Sequence, residues 1–528
     1  MTSNCAKLVE NYENVLPPKE CEVHGKAPEW LSGTMLRNGP GMFKIGETEY
    51  KHWFDGLAYI QRYHFQDGKM LYSARFLEGD TYKANMAAQR IISSQFGTYK
   101  FPDPCKNIFH RYFSHFFEDE PATDNTSVAF VTIGDGVYAL TEVPIINRID
   151  LDTLERLEKV NMDQYLTLNT YTAHQHSDGE GNVFNIGSQF GKDSHYVFAT
   201  TSNPLNEKSE SGHSLEHTKL IGKLPCTDPL APGYYHSFGM SENYFALFEA
   251  PVRISMKKMI IRKLMSYSYR DAFYWDGNLG TNVLIMNKKT GQSLPIKINS
   301  DAFFTFHHAN SFEKDGFLVL DYCRMENPGD FSGLSLAAIR NEGFQNDNLG
   351  QVPYLHRMII PLSVPESAKP GDDLLSKCSF AEQCTAILKN DGSVHVTDRR
   401  LCEESFEFPQ YNYSQYNMKE YTYVYGTNVL HSKEGNKTGV VKANVQNSTY
   451  IVWNREDETH MCAEPIFARN PTGIAEDDGV LIVPIMTTKD GDRPFVVILD
   501  AKNLKEVARY VIPESRLPLG FHGLFTSR

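Results

Sequence analysis

Four histidines of this chain share one kind of sequence setting. Each is flanked by aromatic or small apolar residues and falls at the end of a predicted strand; they are His174 in YTAHQHSDG, His236 in GYYHSFGM, His307 in FFTFHHANSF and His522 in GFHGLF. Taken singly, each is best explained as a buried histidine with a backbone hydrogen bond. Taken together, the four favour a shared metal site, and His522 would be brought to it by a chain end that usually frays.

Four neutral imidazoles form a ligand set that suits a first-row transition metal such as iron, copper, nickel or zinc. Zinc is satisfied by four ligands in a closed site. Iron favours six ligands, so four histidines would leave two positions open for dioxygen and for a substrate or water. The ligand types alone therefore predict a metal centre and leave the metal undecided.

Three glutamates lie in apolar settings where a charge is costly unless it is paired. They are Glu142 in YALTEVPII, Glu407 in SFEFPQYNY and Glu464 in CAEPIFARNP. A histidine that binds a metal usually donates its other ring N–H to a carboxylate, so these residues are candidates for orienting the histidines. An exposed strand glutamate is the alternative for each of them.

The elements that must position these residues read as strands joined by tight turns. Asp-Gly pairs interrupt runs rich in Val, Ile, Tyr and Phe at 67–68, 315–316, 391–392 and 490–491, the pattern of β-hairpins. Helical periodicity is rare by comparison. Many short antiparallel strands favour an all-β fold closed into a propeller, because closure removes exposed edges. A large sandwich or barrel is the alternative.

The histidine spacing agrees with a propeller of seven blades. The chain of 528 residues would give each blade roughly 75 residues, which leaves room for long insertions on one face. The four histidines are separated by 62, 71 and 215 residues. These separations correspond to one, one and three blades, so the histidines would point at the axis from the same level. We expect a single domain over residues 1–528.

Composition excludes several classes of function. A net charge of −13 without basic patches argues against a nucleic-acid partner. No G-x-G-x-x-G follows a strand into a helix, so no nucleotide cofactor is expected. Mean hydropathy is −0.41, and no apolar run is long enough for a spanning helix.

Nine scattered cysteines without a CxxC pair, and no signal or transit peptide, predict free thiols in a reducing, cytoplasmic setting.

The chain closely resembles the carotenoid cleavage oxygenases, through motifs spread over nearly its whole length. These motifs are WLSGTMLRNGPGMFKIG, HWFDGLA, DTYKAN, FGTYKFPDPCKNIF, AHQHSDGEGNVFNIG, YYHSFGM, FHHANSFE, FEFPQYNY, AEPIFARNP, EDDGVLIVPI, VILDAKNL and GFHGLF. The resemblance implies an all-β, seven-bladed propeller with an iron(II) centre on its axis and a cap of helices and loops on one face. It also assigns the iron ligands to His174, His236, His307 and His522.

The resemblance further implies that Glu142, Glu407 and Glu464 orient His236, His307 and His522, respectively, and that His174 has no such partner. The neighbouring His176 and His308 are not ligands in the family's pattern. No side chain is required as a general base, so no catalytic residue is expected beyond the iron centre.

The activity implied by the resemblance is dioxygen-dependent cleavage of one carbon–carbon double bond of a carotenoid or apocarotenoid to two carbonyl products. PDPCKNIF places the chain in the animal branch. Trp53 in HWFDG resembles the cleaving enzymes, where the branch's retinoid isomerohydrolase has leucine, and FEFPQ and GFHG favour eccentric (9',10') cleavage. The alternatives are central (15,15') cleavage of β-carotene, retinoid isomerohydrolysis and carotenoid binding without catalysis.

Two stretches are predicted to contact a membrane surface, from which a nearly insoluble carotenoid must be taken. VRISMKKMIIRKL places Met256, Ile260 and Leu264 on one stripe of a basic amphipathic helix, and such helices lie in membrane interfaces. CKNIFHRYFSHFF offers Phe109 and Phe113. A helix packed on the propeller face is the alternative for both. We expect a cytoplasmic, peripherally membrane-associated protein, with a mitochondrial location as the alternative because the eccentric cleaver is generally mitochondrial.

Overall fold

A computed structural model describes residues 5–104, 106–107, 122–206, 215–342, 352–428 and 437–528 of the chain. These residues form seven sheets that follow one another around an axis, each built mainly from consecutive antiparallel strands. The predicted seven-bladed β-propeller is therefore confirmed. The sheets are numbered as blades 1 to 7 in the order in which the chain forms them.

The strands that belong to blades 1 to 3 lie in the first part of the chain, together with one strand of blade 7 and a separate two-stranded ribbon made by Lys44–Ile45 and Thr48–Glu49. They are β1 (Val15–Glu20), β2 (Glu22–Gly25), β3 (Gly33–Arg37), β4 (Pro40–Met42), β5 (Lys44–Ile45), β6 (Thr48–Glu49), β7 (Leu57–Gln66), β8 (Lys69–Phe76), β9 (Ala129–Ile133), β10 (Gly136–Leu140), β11 (Ile145–Ile149), β12 (Arg156–Asn161), β13 (Thr170–Tyr171), β14 (His176–Ser177), β15 (Val183–Gln189), β16 (His195–Thr201) and β17 (Thr218–Pro225).

The strands of blades 4 and 5 follow, together with a short ribbon made by β20 and β21. They are β18 (Gly239–Met240), β19 (Tyr244–Glu249), β20 (Val252–Ile254), β21 (Phe273–Trp275), β22 (Thr281–Asn287), β23 (Ile298–Ser300), β24 (His308–Lys314), β25 (Phe317–Arg324), β26 (Tyr354–Pro361), β27 (Ala386–Leu388), β28 (Val394–Val396) and β29 (Asp398–Ser405).

The last strands form blades 6 and 7 and return to blade 1. They are β30 (Glu407–Gln410), β31 (Tyr423–Thr427), β32 (Thr438–Asn444), β33 (Thr449–Asn454), β34 (His460–Cys462), β35 (Ile466–Arg469), β36 (Gly479–Thr487), β37 (Phe495–Asp500), β38 (Glu506–Val511) and β39 (Gly523–Thr526). The α-helices of the described residues are α1 (Asp80–Ala88), α2 (Met256–Met265), α3 (Leu336–Glu342) and the single turn α4 (Tyr413–Tyr416). Short 3₁₀ turns lie at Cys5–Val9, Trp53–Asp55, Met162–Gln164, Arg270–Ala272, Gly277–Leu279 and Ser332–Leu334.

The strand order shows how each blade is assembled. Blade 1 has the order β1-β8-β7-β3-β39, blade 2 β12-β11-β10-β9, blade 3 β13-β15-β16-β17, blade 4 β18-β19-β22-β23-β28-β27, blade 5 β24-β25-β26-β29, blade 6 β30-β31-β32-β33 and blade 7 β2-β38-β37-β36-β34. The extra strands β4, β14 and β35 pair with β7, β15 and β36. The hairpin around Asp391-Gly392 does not start a blade but extends blade 4, where β28 pairs in parallel with β23.

Two of the predicted Asp-Gly hairpins have the tight geometry expected of them. Asp67 and Gly68 both have positive φ, 52° and 76°, and so do Asp315 and Gly316, at 50° and 84°. Positive φ at both central residues is the type I′ turn that matches the twist of the flanking strands. At Asp391-Gly392 and Asp490-Gly491 only the glycine has positive φ, because longer loops join those strands.

Middle strands of the blades are buried on both faces instead of alternating between buried and exposed residues. Nearly every residue of β26 and of β36 is buried. Adjacent blades pack face to face, so a middle strand has apolar neighbours on each side. One such apolar cluster joins Phe248 of blade 4, Leu320 of blade 5 and Val441 of blade 6. Polar alternation appears in outer strands such as β12 and β38.

Both chain ends close the ring. Strand β39 pairs with β3, with Arg37 opposite Gly523, so the C-terminal segment supplies the strand of blade 1 nearest the axis. Strand β2 near the N-terminus pairs with β38 of blade 7, with Glu22 opposite Val511. Two separate strand pairings therefore hold the first and last blades together.

The cap predicted for one face is made of insertions that are hydrogen-bonded to one another. The buried carboxylate of Asp55 accepts hydrogen bonds from the amide of Gly97 (2.8 Å) and the hydroxyl of Thr98 (2.6 Å). The amide of Arg270, after α2, donates to the carbonyl of Phe96 (2.8 Å). Nε2 of His52 lies 3.0 Å from the carbonyl oxygen of Phe331. These contacts join the segments around α1, α2 and α3 over one end of the axis.

Among the described residues, every helix is too short or too polar to cross a membrane.

The crossing of β3 and the C-terminal segment needs glycine on both sides. A Cβ atom on Gly39 would lie 2.6 Å from Cα of Gly520. We therefore expect Gly39→Ala to lower the free energy of unfolding by about 1–3 kcal/mol, since overpacking forces the backbones apart. Urea-induced unfolding measures the change.

Gly179→Ala is the matched control, because Gly179 is exposed and a Cβ atom there has nothing within 4 Å. Its effect should stay within about 0.5 kcal/mol. Equal effects of the two substitutions would contradict the close approach at Gly39.

Candidate metal centre

Four blades each present one histidine at the same end of the axis. His174, His236 and His307 precede β14, β18 and β24, and His522 precedes β39, so the four belong to blades 3, 4, 5 and 1. The chain spacing thus corresponds to steps of one, one and three blades, as predicted. Each histidine lies at the N-terminal end of a strand near the axis, and that common position brings them to one level.

The four imidazole rings converge on one point. Their ligand nitrogens all lie within 4.8 Å of one another. Nε2 of His174 is 2.9 Å from Nε2 of His236, and Nε2 of His307 is 3.1 Å from Nε2 of His522. Ring centroids of neighbouring histidines are 4.5 to 5.2 Å apart.

The three predicted carboxylates each bind the Nδ1 atom of the histidine expected from the resemblance. Oε1 of Glu142 is 2.6 Å from Nδ1 of His236. Oε2 of Glu407 is 2.5 Å from Nδ1 of His307. Oε1 of Glu464 is 2.9 Å from Nδ1 of His522. For His174, no carboxylate partner lies among the described residues.

These hydrogen bonds determine the tautomer of three rings. A carboxylate accepts only from a protonated nitrogen, so Nδ1 carries the proton and Nε2 keeps its lone pair. The three Nε2 lone pairs then point into the same small space.

Every blade contributes one residue to this arrangement: blades 1, 3, 4 and 5 supply histidines, and blades 2, 6 and 7 supply glutamates.

Burial disfavours the doubly protonated, charged form of two of the imidazoles. Burial, assisted by His236, lowers the pKa of His174 well below its usual range. Burial also lowers the pKa of His522 to about 4, against the opposing effect of Glu464. Burial by itself would raise the pKa of Glu464, but His522, Arg37 and the amide of Gly523 bring it below its ordinary value. At pH 7, His174 and His522 are therefore neutral and Glu464 is ionised.

The arrangement fits a metal ion with nitrogen ligands. The Nε2 lone pairs of His307 and His522 face each other at 3.1 Å and repel unless a cation lies between them. Two metal–nitrogen bonds of about 2.0–2.1 Å at a right angle place their nitrogens about 3 Å apart. Carboxylates behind three of the ligands would orient them and strengthen their donation. The residues present thus fit a divalent transition metal.

Sequence reasoning missed two residues that connect the ligands. The hydroxyl of Tyr234 donates to Oε1 of Glu142 (2.8 Å) and lies 3.0 Å from Nδ1 of His236. The hydroxyl of Thr172 donates to the carbonyl of His236 (2.5 Å) and accepts from the amide of His174 (3.1 Å). Each lies two residues before a histidine in an extended segment, where side chains two positions apart point to the same side. This spacing was the sequence signal that could have identified both residues.

A third missed residue is Phe408, which follows Glu407 and has a φ of +53°. A non-glycine residue in this left-handed region is strained by about 1–3 kcal/mol. The conformation lets the Phe408 amide donate to Oε2 of Glu407 at 2.8 Å, and its ring centroid lies 5.2 Å from that of His307. The strained conformation of Phe408 therefore gives the carboxylate of Glu407, which binds His307, a second hydrogen bond.

A cavity of about 580 Å³ opens onto the histidines between the cap and the propeller. His236, His307 and His522 lie on its wall, and much of the rest is apolar; the aromatic lining residues are Trp53, Phe54, Phe96, Tyr171, Phe190, Tyr234, Tyr235, Tyr269, Phe273, Phe306, Phe408 and Phe521. The Glu142 side chain is 33% exposed and faces the cavity, whereas Glu407 and Glu464 are 1% and 2% exposed. Volume and lining are those of a site for an apolar small molecule.

Helix α2 borders this cavity, and its predicted stripe is divided between two environments. Met256 lines the cavity together with Met259. Ile260 and Leu264 are 79% and 67% exposed to solvent. Arg262, on the same helix, is buried with its guanidinium 4.2 Å from the ring centroid of Tyr269. Phe109 and Phe113 lie outside the described residues, as does Cys105.

Comparison with known proteins gives one family and full-length relatives. The family model described as "Retinal pigment epithelial membrane protein" matches residues 9–527. The "Carotenoid-cleaving dioxygenase, mitochondrial" of Mustela putorius furo is 35% identical over 532 residues, which cover 99% of this chain and 96% of that protein. The "Beta,beta-carotene 15,15'-dioxygenase" of Homo sapiens is 36% identical over 519 residues, which cover 98% of this chain and 93% of that protein.

Solved structures share the fold. A tryptophan-to-alanine mutant of Synechocystis apocarotenoid oxygenase matches with a TM-score of 0.77 at 21% identity, over 99% of this chain and 98% of that one. Cobalt-substituted Synechocystis ACO matches with a TM-score of 0.76 at 21% identity, over the same shares of both chains. At this identity the likeness bears on the fold alone.

The hydrogen bond from His307 to Glu407 provides a test of the metal centre. We expect Glu407→Gln to weaken binding of Co²⁺ by about 10- to 100-fold, because the amide still accepts from Nδ1 but lacks the charge that strengthens the ligand. Titration of the metal-free protein with Co²⁺, followed by calorimetry, measures the affinity.

Glu313→Gln is the control, because Glu313 lies on β24 of the same blade and accepts from Ser241 and Asn243 instead. It should leave the affinity for Co²⁺ unchanged. Equal affinity of Glu407→Gln and the parent protein would contradict a role of Glu407 at the metal.

Proposed function

This chain belongs to the family described as retinal pigment epithelial membrane protein, and on that premise we propose that it is an iron(II)-dependent dioxygenase. Its reaction is cleavage of one carbon–carbon double bond of a carotenoid or apocarotenoid to two carbonyl products. Full-length relatives at 35% and 36% identity carry the names of carotenoid-cleaving enzymes, and they support this substrate class.

The observation that carries the proposal is the set of four converging imidazoles, three of which lie on the wall of an aromatic cavity. His174, His236, His307 and His522 would hold the iron, and Glu142, Glu407 and Glu464 would orient three of them. Bound iron(II) would supply the redox chemistry that makes dioxygen reactive toward the polyene. Four histidines leave room in the coordination shell for dioxygen and water, which a closed structural site would not do.

The remaining work of the protein is to bind and orient. The carotenoid and one dioxygen molecule together supply every atom of the two carbonyl products. The reaction therefore requires no side chain that accepts or donates a proton. The aromatic wall offers flat apolar surfaces to a conjugated chain and excludes water from the metal. Polar groups on the wall already bind each other; for example, the Gln95 amide donates to the hydroxyl of Thr123 at 3.0 Å.

Eccentric (9',10') cleavage is the position that we propose. Trp53 packs against Phe521, the residue before His522, with ring centroids 4.5 Å apart. A leucine at this position, as in the isomerohydrolase pattern, would remove that aromatic contact beside the metal. Trp53 therefore supports a cleaving enzyme, and the motifs around Glu407 and His522 favour the eccentric type. Central cleavage is the alternative that product analysis decides.

We place the membrane contact at the exposed end of α2. Ile260 and Leu264 project into solvent beside methionines that line the cavity. Leu230, 68% exposed, lies next to Met256 at the start of α2, because its carbonyl accepts from the amide of Met256 (3.0 Å). An apolar surface at the entrance to an apolar cavity would let a polyene pass from a bilayer without crossing water. The cytoplasmic, peripheral location stays a prediction, with mitochondria as the alternative.

Product analysis tests the reaction. We expect the iron(II)-loaded protein, given β-carotene and zeaxanthin in detergent under labelled dioxygen, to form two carbonyl fragments of unequal length. Each fragment should carry one labelled oxygen atom, because both carbonyl oxygens come from one dioxygen molecule. Chromatography with mass spectrometry identifies the fragments.

The metal-free protein is the control and should form no product. Two equal fragments from β-carotene would move the cleavage to the central bond. Intact carotenoid would overturn the cleavage proposal; isomerised retinyl ester would then support the isomerohydrolase, and binding without turnover would support a carotenoid-binding protein.

Vesicle binding tests the membrane contact. We expect the double substitution Ile260→Glu and Leu264→Glu to lower partitioning onto phosphatidylcholine–phosphatidylserine vesicles by about 10-fold or more, since each buried apolar side chain contributes about 1.5–3 kcal/mol. Flotation of vesicles with bound protein measures it.

Leu157→Glu with Ile474→Glu is the matched control, because both residues are exposed, at 57% and 96%, and neither lies on α2 or lines the cavity. This pair adds the same charge and should leave partitioning unchanged. A similar loss in both double variants would mean that net charge, and not α2, governs the binding.

A further inference from the structure

Arg37, at the end of β3, is buried directly behind the segments that carry Glu464 and His522. Its side chain is 1% exposed, and no metal ligand needs a cation at that position. We propose that Arg37 is a positioning residue of the metal centre, which holds His522 and its carboxylate in the geometry that binds the metal. This inference rests on the metal centre of the proposed function.

The guanidinium joins two segments that are far apart in sequence. Nη1 donates to the backbone carbonyl of Glu464 (3.2 Å), and Nη2 donates to that of Phe521 (3.0 Å). Glu464 belongs to the connection between β34 and β35 of blade 7, and Phe521 directly precedes His522. One side chain of blade 1 therefore fixes both the carboxylate of the last blade and the histidine that it orients.

The backbone around Arg37 holds the same segment. The amide of Asn38 donates to the carbonyl of His522 (2.9 Å), and the amide of Phe521 donates to the carbonyl of Asn38 (2.8 Å). Gly520 approaches Arg37 so closely that a Cβ atom there would lie 3.0 Å from Nε of Arg37. His522 thus has little freedom to move while Arg37 stays in place.

Charge supports the same role. Glu464 is only 2% exposed, and a buried carboxylate is costly without a positive neighbour. The guanidinium of Arg37, which binds the backbone carbonyl of Glu464, places a positive charge near that buried carboxylate. Arginine remains protonated even when it is buried.

Lysine could not replace both contacts. The two carbonyls belong to different segments, and a planar guanidinium meets them with two separate N–H groups in a fixed geometry. A lysine keeps the positive charge but presents a single compact ammonium group on a flexible stem. Arg37→Lys therefore separates the contribution of geometry from that of charge, and Arg37→Met removes both.

Arg62 is the matched control. It lies on the adjacent strand β7, in register with Leu36, and it is 6% exposed. Its guanidinium binds Asp152 of blade 2 at 3.0 Å and touches neither Glu464 nor the C-terminal segment. Substitution of Arg62 thus removes a buried arginine from the same sheet without a contact at the metal centre.

The experiment is a Co²⁺ titration of the metal-free, full-length variants, followed by calorimetry and by the visible absorption of bound Co²⁺. We expect Arg37→Lys and Arg37→Met to weaken Co²⁺ binding by about 10- to 100-fold, the usual effect of losing a residue that supports a ligand. The absorption spectrum should shift, because the His522 nitrogen is displaced. Arg62→Lys and Arg62→Met should lower thermal stability while the affinity stays within about twofold of the parent.

A double-mutant cycle with Glu464→Gln adds a second readout. In the Glu464→Gln background, Arg37→Lys should weaken Co²⁺ binding by a smaller factor than in the parent, because both residues act on the same ligand, His522. Independent, multiplying losses would overturn the proposal. The proposal would also be overturned if Arg37→Lys bound Co²⁺ with the affinity and the absorption spectrum of the parent. If Arg37→Met does not fold, the result for Arg37→Lys decides the test alone. A parent protein that binds no Co²⁺ would instead overturn the metal centre itself.

Discussion

Closure of the ring is the constraint on which the rest of this structure depends. The candidate metal ligands come from blades 1, 3, 4 and 5, so their nitrogens meet only if all seven blades complete one turn. Strand β39 on β3 and strand β2 on β38 provide that closure. Because His522 precedes β39, the strand that closes blade 1 also delivers the fourth imidazole. Assembly of the ring and assembly of the centre are therefore one event.

A second consequence of closure is the burial of charge at the axis. Glu407 and Glu464 are almost completely shielded from water, which is costly for isolated carboxylates. Each is held by a histidine Nδ1–H and by a backbone amide, from Phe408 and Gly523 respectively. These bonds fix the ring tautomers, and the lone pairs that result face each other across about 3 Å. A divalent cation between the rings would relieve that repulsion, so the arrangement of the polar core favours metal binding.

The two halves of the site come from different parts of the architecture. Strand ends near the axis supply the ligands with little freedom, because each is held between neighbouring blades. Insertions between strands supply the cavity, and their mutual contacts, such as Asp55 with Gly97 and Thr98, set its shape. The propeller thus positions the candidate metal ligands, while the cap shapes the cavity beside them. Substrate choice can vary through the cap without a change at the histidines.

Several features could be read from the sequence because they are local or repeat along the chain. The hairpin turns at Asp67-Gly68 and Asp315-Gly316 and the all-β class follow from turn chemistry, the seven blades were implied by the family resemblance, and the four histidines stand out because their settings match. The sequence did not reveal the roles of Tyr234, Thr172 and Arg37. Thr172 and Arg37 act through contacts with residues 64 and 484 positions away, and Tyr234 acts through the ring of His236. The division of α2 between cavity and solvent also depends on where the helix docks. Local sequence determined which groups are available for chemistry; only the closed tertiary structure decided which of them meet, because proximity around a ring is set by the packing of all its blades.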